Sequence, residues 1–307
     1  MPELPEVETM RRGLGGIVGR RIASVAFPRG RVRPLSIEPR PSAIARRVVG
    51  RTIAGVHRRG KRIVLELAPG ATRGGRILWL AIEPRMTGLM LVVDPPSTEH
   101  VRLVVGLTPR AGGVAPDRVL FWDRRGLGTI RLFDDAGLEA ACGPRRLGPD
   151  GLAVTAADLA GSLGRSRRAV KVALLDQRAV AGIGNIYAAE ILFRCGIDPR
   201  TACRRLRVEA WERIAAVARE VLAEAVRHEG SSIGDETYRT ADNRVGRFQK
   251  RHLVYGRAGK PCTACGTAIE RMVQGQRATF LCPSCQRRPG RGAGDGGRGL
   301  ATRGRLP

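Results

Sequence analysis

The chain has 307 residues, 43% of them apolar, enough for two modest domains or one large one with a proper core. Lys and Arg number 54 against 28 Asp and Glu, a net charge of +26. Such an excess points to a polyanionic partner, whether a site on nucleic acid or the surroundings of a basic ribosomal or chromatin-like protein.

The tail 286–307 holds six Arg and one Asp, so most of the excess belongs to the body of the chain. No apolar run reaches the ~18 residues of a membrane span, and the start Met1-Pro2-Glu3-Leu4-Pro5-Glu6 lacks the apolar core of a signal peptide. A cytosolic protein is expected.

In chain order, Leu4, Val7, Met10, Arg11 and Leu14 recur at helical spacing, with Pro5 suited to the first turn. Apolar runs follow at Ile22–Phe27, Ile63–Leu67, Ile77–Ile82, Leu89–Val93, Val101–Leu107, Val119–Trp122 and Thr129–Phe133, separated by Gly, Pro and charged clusters. Short strands between turn signals predict a sandwich or barrel. A boundary is expected near 140–150, around Gly143-Pro144 and Gly148-Pro149. The period then changes. Ala169–Leu175 and Ile186–Phe193 read as helices, the second preceded by the turn Ala181-Gly182-Ile183-Gly184-Asn185, and Val208–Ala225 reads as a long amphipathic one. Residues 230–250 are polar and turn-rich, which predicts a mobile loop. A cysteine module spans about 253–287, and the Gly/Arg-rich end is expected to be a disordered basic arm.

Four of the seven cysteines form two Cys-x2-Cys pairs, Cys262 with Cys265 and Cys282 with Cys285, 16 residues apart. Two such knuckles joined by a hairpin can surround one tetrahedral Zn²⁺ with thiolates, and a site closed by four thiolates is structural. The hairpin would present Arg271 and Arg277 as phosphate contacts. At the other end of the chain, removal of Met1 would expose a secondary amine at Pro2. Such an amine can attack a sugar C1′ and form an iminium ion, which acidifies the neighbouring C–H. It must be neutral to do so, and a helix N-terminus disfavours its protonation. Glu3 lies beside it as an acid/base candidate, with Glu6 one turn on. Ordinary helix capping accounts for the same residues.

Met1-Pro2-Glu3-Leu4-Pro5-Glu6-Val7-Glu8-Thr9 resembles the start of formamidopyrimidine-DNA glycosylases. So do, in the same order, Arg59-Gly60-Lys61, Met86-Thr87-Gly88, Gly182-Ile183-Gly184-Asn185-Ile186-Tyr187 and Gln276-Arg277-Ala278-Thr279-Phe280. The resemblance covers residues 1 to about 285. It implies an α+β chain: an N-terminal β-sandwich with an N-terminal helix over 1–145, a helical helix–two-turns–helix domain over 146–250, a β-hairpin zinc finger over 251–287, and the tail 288–307. It implies a monomeric, bacterial-type DNA-repair enzyme that binds double-stranded DNA carrying oxidised or abasic sites and carries one structural zinc. Pro2 would be the Schiff-base nucleophile and Glu3 the proton donor in base loss. Lys61 would contact phosphate and move a proton in β-elimination, and Arg277 would hold the phosphate and assist δ-elimination. Glu6 would belong to the DNA-binding set, Lys171 and Asn185 would bind phosphate, and Met86, Arg125 and Leu127 would fill the gap left by a flipped nucleotide. The polar stretch Ser231–Arg247 would cover the flipped base.

Several positions depart from the family pattern. The segment Asp123-Arg124-Arg125-Gly126-Leu127-Gly128 has Leu127 where the family has Phe and Gly126 where it has a second Arg. Glu83-Pro84-Arg85 stands where His-Leu-Gly is usual. A family histidine is missing near Thr98, although His100 is close, and a phosphate lysine is replaced near Ser166, between Arg165, Arg167 and Arg168. These changes bear on lesion choice and opposite-base preference. An endonuclease VIII-like enzyme for oxidised pyrimidines would more often carry Gly in place of Leu4. A non-catalytic zinc-ribbon DNA-binding protein would leave Pro2, Glu3 and Lys61 together without a purpose.

Overall fold

The computed structural model describes residues 2–28, 33–70, 75–109, 116–234 and 237–287. The expected tail and the fate of Met1 lie outside them. The chain forms two compact units, Met1–Leu147 with Glu224–Lys250, and Gly148–Ala223 with Arg251–Pro307.

The first unit opens with α1 (Leu4–Gly13), β1 (Ile22–Ala26), β2 (Ser36–Glu38) and α2 (Pro41–Val48). It continues through β3 (Thr52–Arg59), β4 (Arg62–Ala68), β5 (Leu78–Glu83), β6 (Gly88–Leu91), β7 (Val101–Leu107), β8 (Arg118–Asp123), β9 (Thr129–Phe133) and α3 (Asp135–Cys142). Two sheets form, β1-β7-β8-β6 and β2-β9-β5-β4-β3, antiparallel except where β2 runs parallel to β9. Their alternating apolar residues share one core, to which Ile63, Leu65, Leu80 and Ile82 come from one sheet and Leu89, Leu103, Val105 and Phe121 from the other. This is the expected sandwich. Helix α1 presses Val7, Met10 and Leu14 into the same core and touches β3, β4 and β6, hence both sheets. Leu138 and Cys142 of α3 cover Val64 and Ala81 on the outer face of the five-stranded sheet.

The second unit contains α4 (Ala156–Leu163), α5 (Val170–Leu174), α6 (Asn185–Arg194) and most of α7 (Val208–Arg227), and ends in the hairpin β10 (Glu270–Gln274) and β11 (Arg277–Leu281). Thr155 and Asp158 form a reciprocal capping box at the start of α4. Ala189 and Phe193 of α6 pack with Val254, Ile269, Phe280 and Cys282 to make the core under the cysteine module. Among the described residues, no helix is long and apolar enough to cross a membrane.

The reading of 146–250 as one helical segment differs at its end, because Glu224–Lys250 clusters with the first unit. The reason lies in hydrogen bonds. Glu6 Oε1 accepts from Ser231 N–H at 2.8 Å, and the carbonyl of Ala241 accepts from Val92 N–H at 3.0 Å. Tyr238, buried, donates to the Glu229 carbonyl at 3.0 Å. The polar stretch expected to be a mobile loop is therefore pinned at Ser231, Tyr238 and Ala241, on both sides of residues 235–236, which lie outside the described ones. Its backbone groups are satisfied by side chains and by single bridges, which no periodicity reports.

Glu8 ties the end of α1 to β3. Its carboxylate accepts from Arg11 at 2.8 Å, Arg12 at 2.9 Å and Arg58 at 3.1 Å. Burial alone would raise this acid. The hydrogen bonds from Arg11 and Arg12, with the charges of Arg11 and Arg58, outweigh it and bring the pKa down from 4.5 to about 2. The folded pKa lies below the unfolded one, so the stabilisation is present above about 4.5 and is lost as pH falls toward 2. After allowance for solvent screening of the exposed guanidiniums it is on the order of 2 kcal/mol. Thermal unfolding of Glu8→Gln, followed against pH, is expected to give a lower melting temperature at pH 7 and a flatter decline between pH 5 and 2 than the parent chain. Parallel curves would remove the tie.

Candidate active site and nucleic-acid interface

Pro2 and Glu3 are both buried at the start of α1. Glu3 is the N-cap residue, with extended backbone, and Glu6 Oε2 accepts its N–H at 2.8 Å. The other oxygen of Glu6 takes the N–H of Ser231. At 1% exposure, Glu6 ties the helix start to Ser231 with both oxygens. Gly230 has φ +74°, and a Cβ there would come within 2.8 Å of Glu6 Oε1, so only glycine suits the approach. Tyr238 lies against the same carboxylate. Burial and then the charge of Glu6 push its phenol well above 10, which keeps it a donor.

Lys61 is the second residue of a two-residue turn, Gly60-Lys61, that joins β3 to β4 where Arg59 pairs with Arg62. Gly60 has φ +57°, the left-handed geometry a tight hairpin requires at its first turn position. Arg58 donates to the Gly60 carbonyl at 3.1 Å and to Glu8, so the turn is fixed to α1. Lys61 is half-buried at the tip.

Met86 and Arg125 sit on two turns of the first unit, after β5 and after β8. Both are exposed, Met86 at 36%, while Leu127 is half-buried. Asp123, wholly buried, holds both turns. Its Oδ1 accepts from Thr87 Oγ1 at 2.5 Å and from Arg125 N–H at 3.2 Å, and its Oδ2 accepts from Gly128 N–H at 2.8 Å. Thr87 Oγ1 in turn accepts from Arg125 N–H at 3.0 Å. Asp123 thus joins the two turns that carry Met86, Arg125 and Leu127, and sequence reasoning passed over this carboxylate.

In the second unit, Gln177 clamps the turn before α6. Its amide accepts from Gly182 N–H at 2.9 Å and donates to the Ile183 carbonyl at 2.9 Å. Gly184 is the N-cap of α6 and Asn185 its first helical residue. Asn185 accepts from Lys171 Nζ at 2.5 Å and donates to the Ala278 carbonyl at 3.0 Å. Lys171, Asn185 and the strand carrying Arg277 are therefore one hydrogen-bonded group, with Lys171 wholly buried and Arg277 exposed. The Gly275-Gln276 turn, with φ +55° and +59°, aims Arg277 outward at the start of β11.

The four cysteine sulfurs lie within 4.8 Å of one another, with Cys265–Cys282 at 3.4 Å and Cys262–Cys285 at 3.9 Å. A tetrahedral Zn²⁺ with bonds of about 2.3 Å places its sulfurs about 3.8 Å apart, so the donor set fits. Hydrogen bonds from Thr267 bring the Cys265 thiol down to about 6, while burial and the neighbouring sulfurs push Cys285 up. A divalent cation relieves that conflict by letting all four ionise. Glu190, another buried carboxylate, fixes the entry to this module by accepting from the N–H groups of Leu253, Val254 and Tyr255 at 2.9–3.1 Å. Its single sequence signal was a charge inside an apolar helix.

The same organisation recurs in known proteins. The formamidopyrimidine-DNA glycosylase N-terminal domain pattern matches residues 1–130, that family's H2TH domain matches 147–237, and the zinc finger found in FPG and IleRS matches 259–288. A formamidopyrimidine-DNA glycosylase of Chloroflexus aggregans is 41% identical over 295 residues, which cover 93% of this chain and 98% of that one. The crystal structure of the MutM (Fpg) protein of Thermus thermophilus superposes with a TM-score of 0.78 at 37% identity, covering 93% and 98% of the two chains. A mutant Lactococcus lactis Fpg in complex with Fapy-dG-containing DNA gives 0.79 at 29% identity, covering 93% and 99%. Sequence, fold and cysteine cluster agree over nearly the whole length, and the chain belongs to the formamidopyrimidine-DNA glycosylase family.

Proposed function

We infer that this chain excises oxidised purines from double-stranded DNA as a base-excision repair glycosylase and AP lyase, and that Pro2 is its nucleophile. The observation that carries the reading is the buried helix start. Pro2 is buried beside Glu3 at the positive end of α1. Removal of Met1 would make its nitrogen a secondary amine there, where burial and the helix dipole both favour the neutral form.

The chemistry follows from that placement. A flipped nucleotide presents C1′. The Pro2 lone pair attacks it, and the glycosidic C–N bond breaks as Glu3 supplies the proton that the departing base or the opening sugar needs. The resulting iminium withdraws electrons from C1′, so the C2′ proton is lost and the 3′-phosphate leaves with the C–O electron pair. A second proton loss expels the 5′-phosphate. Water then returns the amine. Lys61, on a turn braced to α1, can carry a proton or hold a phosphate during elimination. Lys171, Asn185 and Arg277 form the phosphate grip in the second unit, and one zinc ion on Cys262, Cys265, Cys282 and Cys285 keeps the Arg277 strand folded. Met86, Arg125 and Leu127 fill the vacated space in the duplex, in the spacing that Asp123 sets. Ser231 is bonded to the Glu6 carboxylate, and the stretch Ser231–Arg247 can cover the base from there. One chain carries every part, so the working form we propose is a cytoplasmic monomer.

Borohydride trapping on an 8-oxoguanine duplex tests the nucleophile. The parent chain is expected to give a covalent complex that needs the lesion. An alanine inserted before Pro2 turns its nitrogen into an amide and is expected to abolish the complex while duplex binding persists. Glu3→Gln is expected to lose trapping on the base lesion and keep it on an abasic duplex. A complex that survives the insertion would assign the nucleophile elsewhere, and trapping on thymine glycol alone would move the substrate class to oxidised pyrimidines.

Asp123→Asn leaves one acceptor oxygen for three donors. The cost is ~1–3 kcal/mol, or ~2–4 °C of melting temperature per kcal/mol. Excision from duplexes with each of the four opposite bases is expected to discriminate less among them. Zinc analysis of the purified chain is expected to return one ion per molecule, and Cys282→Ser is expected to lose both the ion and duplex binding.

A further inference from the structure

Residues 166–170 run antiparallel to 201–204. Arg204 N–H donates to the Ser166 carbonyl at 3.0 Å, Cys203 N–H to Arg168 at 3.0 Å and Val170 N–H to Thr201 at 2.8 Å, around the bridge of Ala169 to Ala202. This pairing sets Arg204 and Arg205, which no motif singles out, beside Arg165, Arg167 and Arg168. All five side chains are exposed. Arg168 pairs with Asp176 at 3.0 Å, whereas Arg165, Arg167, Arg204 and Arg205 make no ion pair among the described residues. Four guanidiniums gathered by backbone hydrogen bonds repel one another, and they are relieved by an anion that spans several of them. Arginine forks suit phosphate oxygens in particular.

We propose that Arg204 and Arg205, with Arg165 and Arg167, form a second phosphate-binding patch that takes the backbone of duplex DNA beyond the nucleotides held at Lys171 and Asn185. The proposal rests on the DNA-binding reading given above. Lys171 is wholly buried, whereas Arg165, Arg167, Arg204 and Arg205 are exposed, and the pairing of 166–170 with 201–204 keeps them together next to Lys171 in the chain. The patch adds phosphate contacts to those at Lys171, lengthening the footprint and slowing release from undamaged DNA during search.

The test is the salt dependence of duplex binding by the full chain, with an undamaged 30-base-pair duplex as probe. Two phosphate contacts contribute about 1.8 to the slope of log K against log salt. Arg204→Ser/Arg205→Ser should flatten the slope by that amount. Between 50 and 200 mM salt it should then lose about twelve-fold less affinity than the parent chain. A control variant, Arg40→Ser/Arg47→Ser, removes the same charge from exposed positions on and next to α2. It should leave the slope unchanged. Equal flattening in both variants would mean that net charge alone is at work and would overturn the patch, as would an unchanged slope in the first. Borohydride trapping on a lesion duplex should persist in the Arg204/Arg205 variant. Failure to trap in the parent chain would count against the Pro2 chemistry, while the slopes would still decide the patch.

Discussion

The geometry of the first unit depends on one buried carboxylate. Glu6 stands one turn inside α1, where the helix dipole favours a negative charge, and its two oxygens take the N–H of Glu3 and the N–H of Ser231. Either bond alone would be ordinary. Together they hold the helix start and a segment 225 residues away against each other. A charge buried to this degree is tolerable only when its lone pairs are satisfied. The two N–H groups are therefore as necessary to Glu6 as Glu6 is to them. Pro2 and Glu3 are positioned because the chain cannot relax there without stranding a buried charge.

The same device recurs twice. Asp123 gathers the Thr87 hydroxyl and the N–H groups of Arg125 and Gly128, and Glu190 gathers three successive N–H groups at the entry to the cysteine module. Each carboxylate is at most 1% exposed, and each fixes a segment without regular structure. In a chain with 54 basic and 28 acidic residues, these acids are withdrawn from the surface and spent on backbone donors. Their withdrawal deepens the surface excess of arginine, which suits a protein that must approach phosphates. The interior acids supply rigidity where loops would otherwise open.

What could be read from the sequence follows from this division. The strand runs were legible because alternation of apolar residues is local, and β4, β5, β7 and β8 fall where the alternation lies. Strand β3 escaped because Gly55 and a bulge between Ile53 and Gly55 break its period and its end is His57-Arg58-Arg59. Helix α2 escaped because only Ile44 and Val48 face the core over its two turns. The cysteine spacing named its own geometry, and the sulfurs are gathered as it required. Asp123 and Glu190 were invisible as anchors, since an acid's partners are backbone groups that any residue could supply. The 230s segment looked mobile for the same reason. Its described residues are held by Glu6, by Tyr238 and by Ser232, whose hydroxyl donates to the Tyr238 carbonyl at 2.6 Å and accepts from Gly246 N–H at 2.9 Å, and none of these leaves a periodic trace.

The departure at Gly126 can be understood in the same terms. Its φ is +62°, and a Cβ there would lie 2.3 Å from the carbonyl oxygen of Arg33. A side chain at this position would have to displace backbone, so in this chain the second arginine of the family pattern is excluded by packing and its absence is more than a tolerated loss. The turn closes tightly between Arg125 and Gly128 as a result, and both N–H groups reach Asp123. Beside Arg124, this turn presents Arg125 exposed and Leu127 half-buried. On the reading proposed above, in which Arg125 meets the opposite strand, its backbone is set by the Thr87 hydroxyl and the Asp123 carboxylate.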